Sequence, residues 1–218
     1  MKPWEASPAS LKKLKVLLSE RRSKIKLRTA LLQQNKNYAN LKSIGLDRKL
    51  IKMNKEEIAL LSHHIESLEK EMDLVIKSDG ELSEKSALMQ SIPGVGRVLT
   101  WMFLAKTENF RNITTARKMA CYSGVVPFDH QSGSSIRFRP RVSMFSDRSL
   151  KSVLHLASMS VIRSENDLRS YYLRKVSEGK NKMLVLNNIR NKIIHRIFAV
   201  VNSGRNYEKN YQNNLVCP

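Results

Sequence analysis

"IKMNKEEIALLSHHIESLEKEMDLV", running from Ile51 to Val75, spaces its apolar residues as a helix does and a strand does not. Ile51, Ile58, Leu61, Ile65, Leu68, Met72 and Val75 follow one another at intervals of seven, three, four, three, four and three. At about 3.6 residues per turn, those positions fall along one side as a heptad seam. The spacing predicts a helix that starts near Asp47 and stops around Gly80 in "KSDGELSEK".

Upstream, residues 1–8 read as an irregular leader because Pro3 and Pro8 discourage helix, and Ser7 or Ser10 can cap the helix after it. From about Ser10 to Asn37, Leu11, Leu14, Leu18, Ile25 and Leu32 form a second stripe, interrupted by Arg21 and Arg28. Gly45 separates the two helices. They are expected to fold back as an antiparallel hairpin or to associate with a second copy.

Downstream, the pattern is that of a compact helical domain. Short helices are expected at 81–91, at 96–108 after the turn "SIPGVGR", and at 114–124, where Gly124 stops the last. Residues 125–145 are irregular, and "SIRFRPRVS" has the alternation of a short strand or hairpin arm. Ser146 and Asp147 mark a helix start; two further helices follow, the first stopped by Gly179, and the Asn- and Tyr-rich end reads as a frayed tail. The fold class is therefore mainly all-α. A coiled-coil helical hairpin covers 1–80, a helical domain with a helix-hairpin-helix-like turn and an extended insert covers 81–203, and a tail covers 204–218.

Composition narrows the function. Thirty-nine Lys and Arg against nineteen Asp and Glu give a formal charge of +20. Residues 1–80 carry +7 of it and residues 81–218 carry +13, which points the second part at a polyanion, nucleic acid above all. No apolar run approaches the roughly eighteen residues of a membrane span. "MKPWEASPAS" lacks a signal-peptide pattern, so the chain is expected to be cytoplasmic, without a membrane partner. Cys121 and Cys217 are too few for a zinc site, and His63 and His64 point about 100° apart on a helix, so no metal site is expected in this chain. P-loop, HExxH, paired-Cys and Asp-x-Asp patterns are absent.

Three stretches carry candidate chemistry. In "IPGVGR", Gly94 and Gly96 permit a turn whose backbone N–H groups can face a phosphate at the start of the next helix, with Arg97 beside them; a plain tight turn between packed helices is the alternative. In "HQSGSSIRFRPRV", His130 to Val142, the alternating Arg137, Arg139 and Arg141 suit a phosphate backbone. Ser132, Ser134 and Ser135 stand beside them. A lone hydroxyl is a poor nucleophile until its proton is removed, and His130 and Asp129 are the nearby groups able to do so. By spacing alone this is a basic binding loop. In the last helix, Arg190, Lys192 and Arg196 share faces with Ile193, Ile194 and Phe198, and either line a groove or form a solvated face; His155 and His195 read as core histidines.

Taken in order, the PGVG turn, "ACYSGVVP", "QSG", "LASMS" and "NKMLVLNNIRNKI" resemble the C-terminal transposase domain of the IS110 class of bacterial insertion-sequence transposases, from about Ser91 to Val201. The helices before it are similar to the coiled coil that links the two catalytic halves of that family. The resemblance implies a serine that attacks the DNA phosphodiester and holds a covalent 5′-phosphoserine link. Carried onto this chain, that serine is Ser132, with Ser134 and Ser135 as secondary candidates. It further implies an N-terminal RuvC-like domain whose acidic residues hold magnesium, and an RNA encoded by the element. The helical hairpin is expected to pair with a second copy or with a full-length transposase. Residues 1–90 show no acidic quartet, and Asp47 and Asp73 are not promoted to ligands. The chain alone is expected to bind nucleic acid without completing the reaction. A non-catalytic nucleic-acid-binding remnant or regulator is the competing expectation.

Overall fold

The computed structural model describes residues 8–38, 45, 47–132 and 136–209, with the side chains of Asp47 and of 129–140 left undescribed. The chain divides into two compact units between Ser83 and Glu84.

The first unit is built on α1 (Ala9–Tyr38) and α2 (Asp47–Lys77). Ser10 binds Asp79, Lys13 binds Glu71, Arg21 binds Glu69, Arg28 binds Ser62 and Gln34 binds Asn54. One series rises as the other falls, so the helices run antiparallel. All seven seam positions of α2 are buried or half-buried, and Met72 is fully so. The packing is uneven along the hairpin. Leu11, Leu14, Met72, Val75 and Ile76 are buried at one end, whereas Leu32 toward the other is 46% exposed, because its stripe is thinned by charged residues. α2 ends at Lys77, in the stretch around Gly80 expected to stop it, and Gly80 itself opens α3 (Gly80–Gln90), whose first turn is held by the Asp79 carboxylate accepting from the Leu82 N–H at 3.2 Å.

The second unit contains α4 (Arg97–Lys106), α5 (Ala116–Tyr122), α6 (Arg148–Val161), α7 (Asp167–Ser177) and α8 (Lys182–Ser203). From Leu99 to Ala105 every side chain of α4 is buried, so α4 is a core helix covered on all sides. α8 packs against α5, α6 and α7, and buries Ile189, Ile193, Ile194 and Ile197 completely. Each of the later helices starts on a side-chain cap: Thr115 for α5, Asp147 for α6, Asn166 for α7 and Asn181 for α8. Between α5 and α6 the chain forms an antiparallel hairpin of β1 (Phe128–Ser132) and β2 (Ile136–Arg141). That hairpin is the extended insert in an otherwise helical protein.

After α4, Glu108, Asn109 and Phe110 all adopt left-handed backbone, a rare run for residues with side chains. It is held locally: the Phe110 N–H donates to the Thr107 hydroxyl at 2.9 Å, the Asn109 N–H to the Leu104 carbonyl at 2.8 Å, and the Phe110 ring lies edge-on to Phe198 at 5.1 Å. Past α8, Tyr207 lies within the stretch expected to fray, yet its N–H donates to Ser91 at 2.8 Å and its hydroxyl meets Asp167 and Arg196. Asp167 and Arg196 also form an ion pair. The described part of the tail, 204–209, is therefore anchored through Tyr207.

Candidate functional site

The glycine turn between α3 and α4 has the pattern of a type II turn, with Pro93 at its second position and Gly94 at φ +84° at its third. The Val95 N–H closes it on the Ile92 carbonyl at 3.0 Å. A Cβ on Gly94 would come within 2.9 Å of the Ala157 carbonyl oxygen and 3.0 Å of Val161 Cβ. Gly94 is thus needed for the turn to lie directly on α6. Gly96 differs: it caps α4 with no side-chain bond, and a Cβ there would meet nothing. Arg97 is exposed, with its guanidinium 5.0 Å from the Trp101 ring centre, a cation–π distance.

The serine-bearing hairpin rises from a tightly built base. Gly124, at φ +66°, lets the chain leave α5 where a Cβ would sit 2.8 Å from Ser146 and Val142. Ser132 is the last described residue of β1 and pairs with Ile136. Ser134 and Ser135 lie outside the described residues. Arg137, Arg139 and Arg141 occupy alternate positions of β2; Gln131 pairs with Arg137, Phe128 pairs with Arg141, and a register shift lies between Phe128 and His130. Arg141 is exposed.

On the far side of the hairpin, Asp147 accepts from the N–H groups of Ser149 and Leu150, each at 3.0 Å, and pairs with Lys106 Nζ at 3.0 Å. Burial opposes its charge, but the hydrogen bonds from Ser149 and Leu150 and the Lys106 ammonium outweigh it and hold its carboxyl at about 2. The Asp147 N–H also donates to the Tyr122 carbonyl at 2.8 Å, which fixes where the chain returns from β2.

α6 and α8 bring together a second cationic group. Arg190 Nη2 donates to His155 Nδ1 at 2.8 Å and Nη1 to Asn187 at 3.2 Å. His155 is therefore half-buried and bonded to a cation rather than enclosed in the apolar core as expected, and His195 is exposed on the outer side of α8. Burial, and secondarily the charge of Arg190, push the His155 pKa down. Of the other basic residues of α8, Lys192 lies 4.7 Å from the Tyr171 ring centre and Arg196 pairs with Asp167. The alternation of β2 was readable in the sequence; the His155–Arg190 pair, thirty-five residues apart, was not.

Among the described residues, no three of His, Cys, Asp and Glu come together as a metal site. His63 and His64 stand with ring centres 6.3 Å apart, and Cys121 is a free, half-buried thiol. No described helix is long and apolar enough to cross a membrane.

A helical domain interrupted by one basic β-hairpin, entered through a glycine turn, is the class of protein that these features define. Residues 86–173 match the family model described as "Transposase IS116/IS110/IS902 family", so over that segment the chain is similar to the IS110-type transposases. Among curated proteins, it is 25% identical over 149 residues to a pilin gene-inverting protein of Moraxella bovis, covering 68% of this chain and 46% of that one. It is 29% identical over 125 residues to the insertion element IS110 uncharacterized 43.6 kDa protein of Streptomyces coelicolor, covering 56% of this chain and 30% of that one. With the insertion element IS900 uncharacterized 42 kDa protein of Mycobacterium paratuberculosis the identity is 30% over 129 residues, 56% and 32% of the two chains. The chain spans less than half the length of these relatives.

Proposed function

We propose that this chain supplies the DNA-binding, nucleophile-bearing domain of an IS110-type transposase, with Ser132 as the nucleophile. The observation that carries the reading is the family match over residues 86–173, which spans Ser132, with the basic hairpin inside it. In the proposed step, Ser132 Oγ forms a bond to phosphorus as the bond to the 3′ oxygen breaks. The serine proton leaves and the departing 3′ oxygen takes one up, so a 5′-phosphoserine link and a 3′ hydroxyl result. Attack by a 3′ hydroxyl of another strand would rejoin DNA and restore the serine. Arg137, Arg139 and Arg141 would hold phosphates and offset charge gained in the transition state, His130 or Asp129 would move the proton, and the open side of the turn at Gly96 and Arg97 would take a backbone phosphate, with Gly94 setting its position.

The magnesium of the family finds no ligand set among the described residues, so the proposed step does not run through it. In this reading a RuvC-like domain would hold it, and an RNA encoded by the element would choose the DNA. A second copy or a full-length transposase would join through α1 and α2. Met53, Leu60 and Leu74 support that last point, lying exposed at multiples of seven along α2, a stripe left over after the seam is filled.

A gel assay for a covalent protein–DNA complex, with and without an added RuvC-like domain, tests the nucleophile. Wild type with that domain should form an adduct, and Ser132→Ala should form none. Equal adduct from the alanine variant removes Ser132 from the role. Salt-sensitive binding with no adduct in any combination would instead establish a non-catalytic nucleic-acid-binding module.

A further inference from the structure

Arg190 is the one charged side chain in the buried core of the described residues, only 6% exposed. A buried guanidinium ordinarily meets a carboxylate, because removing its charge from water is costly. Here its partners among the described residues are both neutral: Asn187 Oδ1 on Nη1 and His155 Nδ1 on Nη2. Its buried Nε has no partner among the described residues. Because a guanidinium can only donate, Nδ1 must accept, and the His155 proton then sits on Nε2, where it is a further donor. Lys151 lies one turn before His155 on α6, so the two share a face. Lys151 is itself half-buried, its pKa lowered by burial and by the charge of Arg190.

The result is three nitrogen donors or cations on facing helices with no negative charge supplied by the described residues. Their place in the fold gives the missing anion a source. One turn before Arg190, Asn187 Nδ2 donates to the Val125 carbonyl at 2.8 Å, three residues before β1 begins. The cluster therefore stands at the root of the hairpin that carries the three arginines of β2.

We propose that Arg190, Lys151 and His155 form a seat for one phosphodiester of a bound DNA strand at the base of the β1–β2 hairpin. This rests on the reading of the domain as DNA-binding, although the anion seat can be tested apart from it. Arg190 offers its charge and the guanidinium hydrogens not taken by Asn187 and His155, Lys151 a point charge, and neutral His155 its Nε2–H. The unmet charge of Arg190 is then a cost carried by the free protein and relieved on binding.

The test compares the full chain with Arg190→Met and Lys151→Gln. Melting is followed with and without inorganic phosphate, and affinity for a short duplex is measured across salt concentrations. Arg190→Met should melt at the same or a higher temperature than wild type without ligand, lose the stabilisation by phosphate, and bind duplex about tenfold more weakly. For each variant, the slope of log affinity against log salt should fall by about one. Should Arg190→Met fail to fold, the seat is overturned as a ligand site unless the milder variant Lys151→Gln shows the loss of slope by itself. Unchanged duplex affinity and slope in both variants also overturn it. Phosphate stabilisation that depends on Arg190, in a chain that does not bind duplex, would uphold the anion seat and refute the DNA reading. Dependence on Arg190 with single-stranded RNA but not with duplex would refute the assignment to DNA.

Discussion

The helical hairpin and the C-terminal domain treat their charges in opposite ways. In α1 and α2, cations reach across to carboxylates at the rim: Lys13 to Glu71 at 2.5 Å and Arg21 to Glu69 at 2.6 Å. In the domain, the buried cation Arg190 has neutral partners, while Asp147 and Asp167 are each spent on holding a loop or the tail in place. The difference separates two sources of order. The hairpin is ordered by its apolar seam, with ion pairs decorating the edge. The domain is ordered by the apolar core of α4 and α8, by close contacts between distant segments and by local caps, with Arg190 left beside neutral partners.

The largest effect should come from the closest of those contacts. Gly94→Val places a branched side chain at φ +84° against the Ala157 carbonyl and Val161. Left-handed strain and overpacking together should destabilise the domain by about 4 kcal/mol, read as a large fall in denaturant midpoint. Gly96→Ser, two residues on, should stay within about 0.5 kcal/mol of wild type, since serine caps at least as well as glycine and the space is open. Equal damage from both would mean that the turn, rather than its contact with α6, sets the requirement. In the hairpin, Leu14→Ala should cost about 3 kcal/mol, because Leu14 is wholly buried at the well-packed end, whereas Leu32→Ala should cost much less.

Asp147→Ala should come next, at about 2 kcal/mol, through loss of the α6 cap and of the partner of Lys106. Its pH dependence has a definite sign. The folded-state carboxyl titrates at about 2 against an ordinary 3.8, so its contribution is complete above about pH 4 and is lost as the pH falls toward 2. Acid melting of wild type should show that loss, amounting to roughly 1 kcal/mol after screening by solvent. Asp147→Asn should flatten this part of the curve.

The same contrast explains which features could be read from sequence. The seam of α2 was legible because heptad spacing is local, and every predicted position is at least half-buried. Asp147 was legible as a cap because a cap needs only its own first turn. The break around Gly80 was legible as well: α2 ends at Lys77, and the same glycine starts the next helix once Asp79 supplies the cap. The left-handed run from Glu108 to Phe110 carries no glycine to announce it, and depends on Thr107 and on Phe198 far down the chain. For the candidate site, the alternation of Arg137, Arg139 and Arg141 could be seen, yet Ser132 was singled out by the order of motifs and not by its own chemistry. Arg190 had a faint signal: it comes directly after Ile189 in a helix whose buried face is otherwise apolar. Its unusual character lies in the lack of a carboxylate beside it among the described residues, and only the packing of α6 on α8 reveals that.

The smallest predicted effects lie on the rim of the hairpin, and they test whether its ion pairs are in fact decoration. Lys13 and Glu71 are 56% and 42% exposed at their side chains, so water and salt screen them on both sides; Lys13→Ala should cost under about 0.5 kcal/mol. Arg21 and Glu69 are more enclosed, at 17% and 25%, and Arg21 brings both Nε and Nη2 to the same carboxylate oxygen. Arg21→Ala should cost more, roughly 1 kcal/mol, part of it from the aliphatic stem that covers the seam. Raising the salt concentration should weaken the wild-type Lys13 contribution further while leaving most of that of Arg21, because packing is not screened. If Lys13→Ala proved as costly as Leu14→Ala, charge pairing would be ordering the hairpin, and the two units would differ less than their partners suggest.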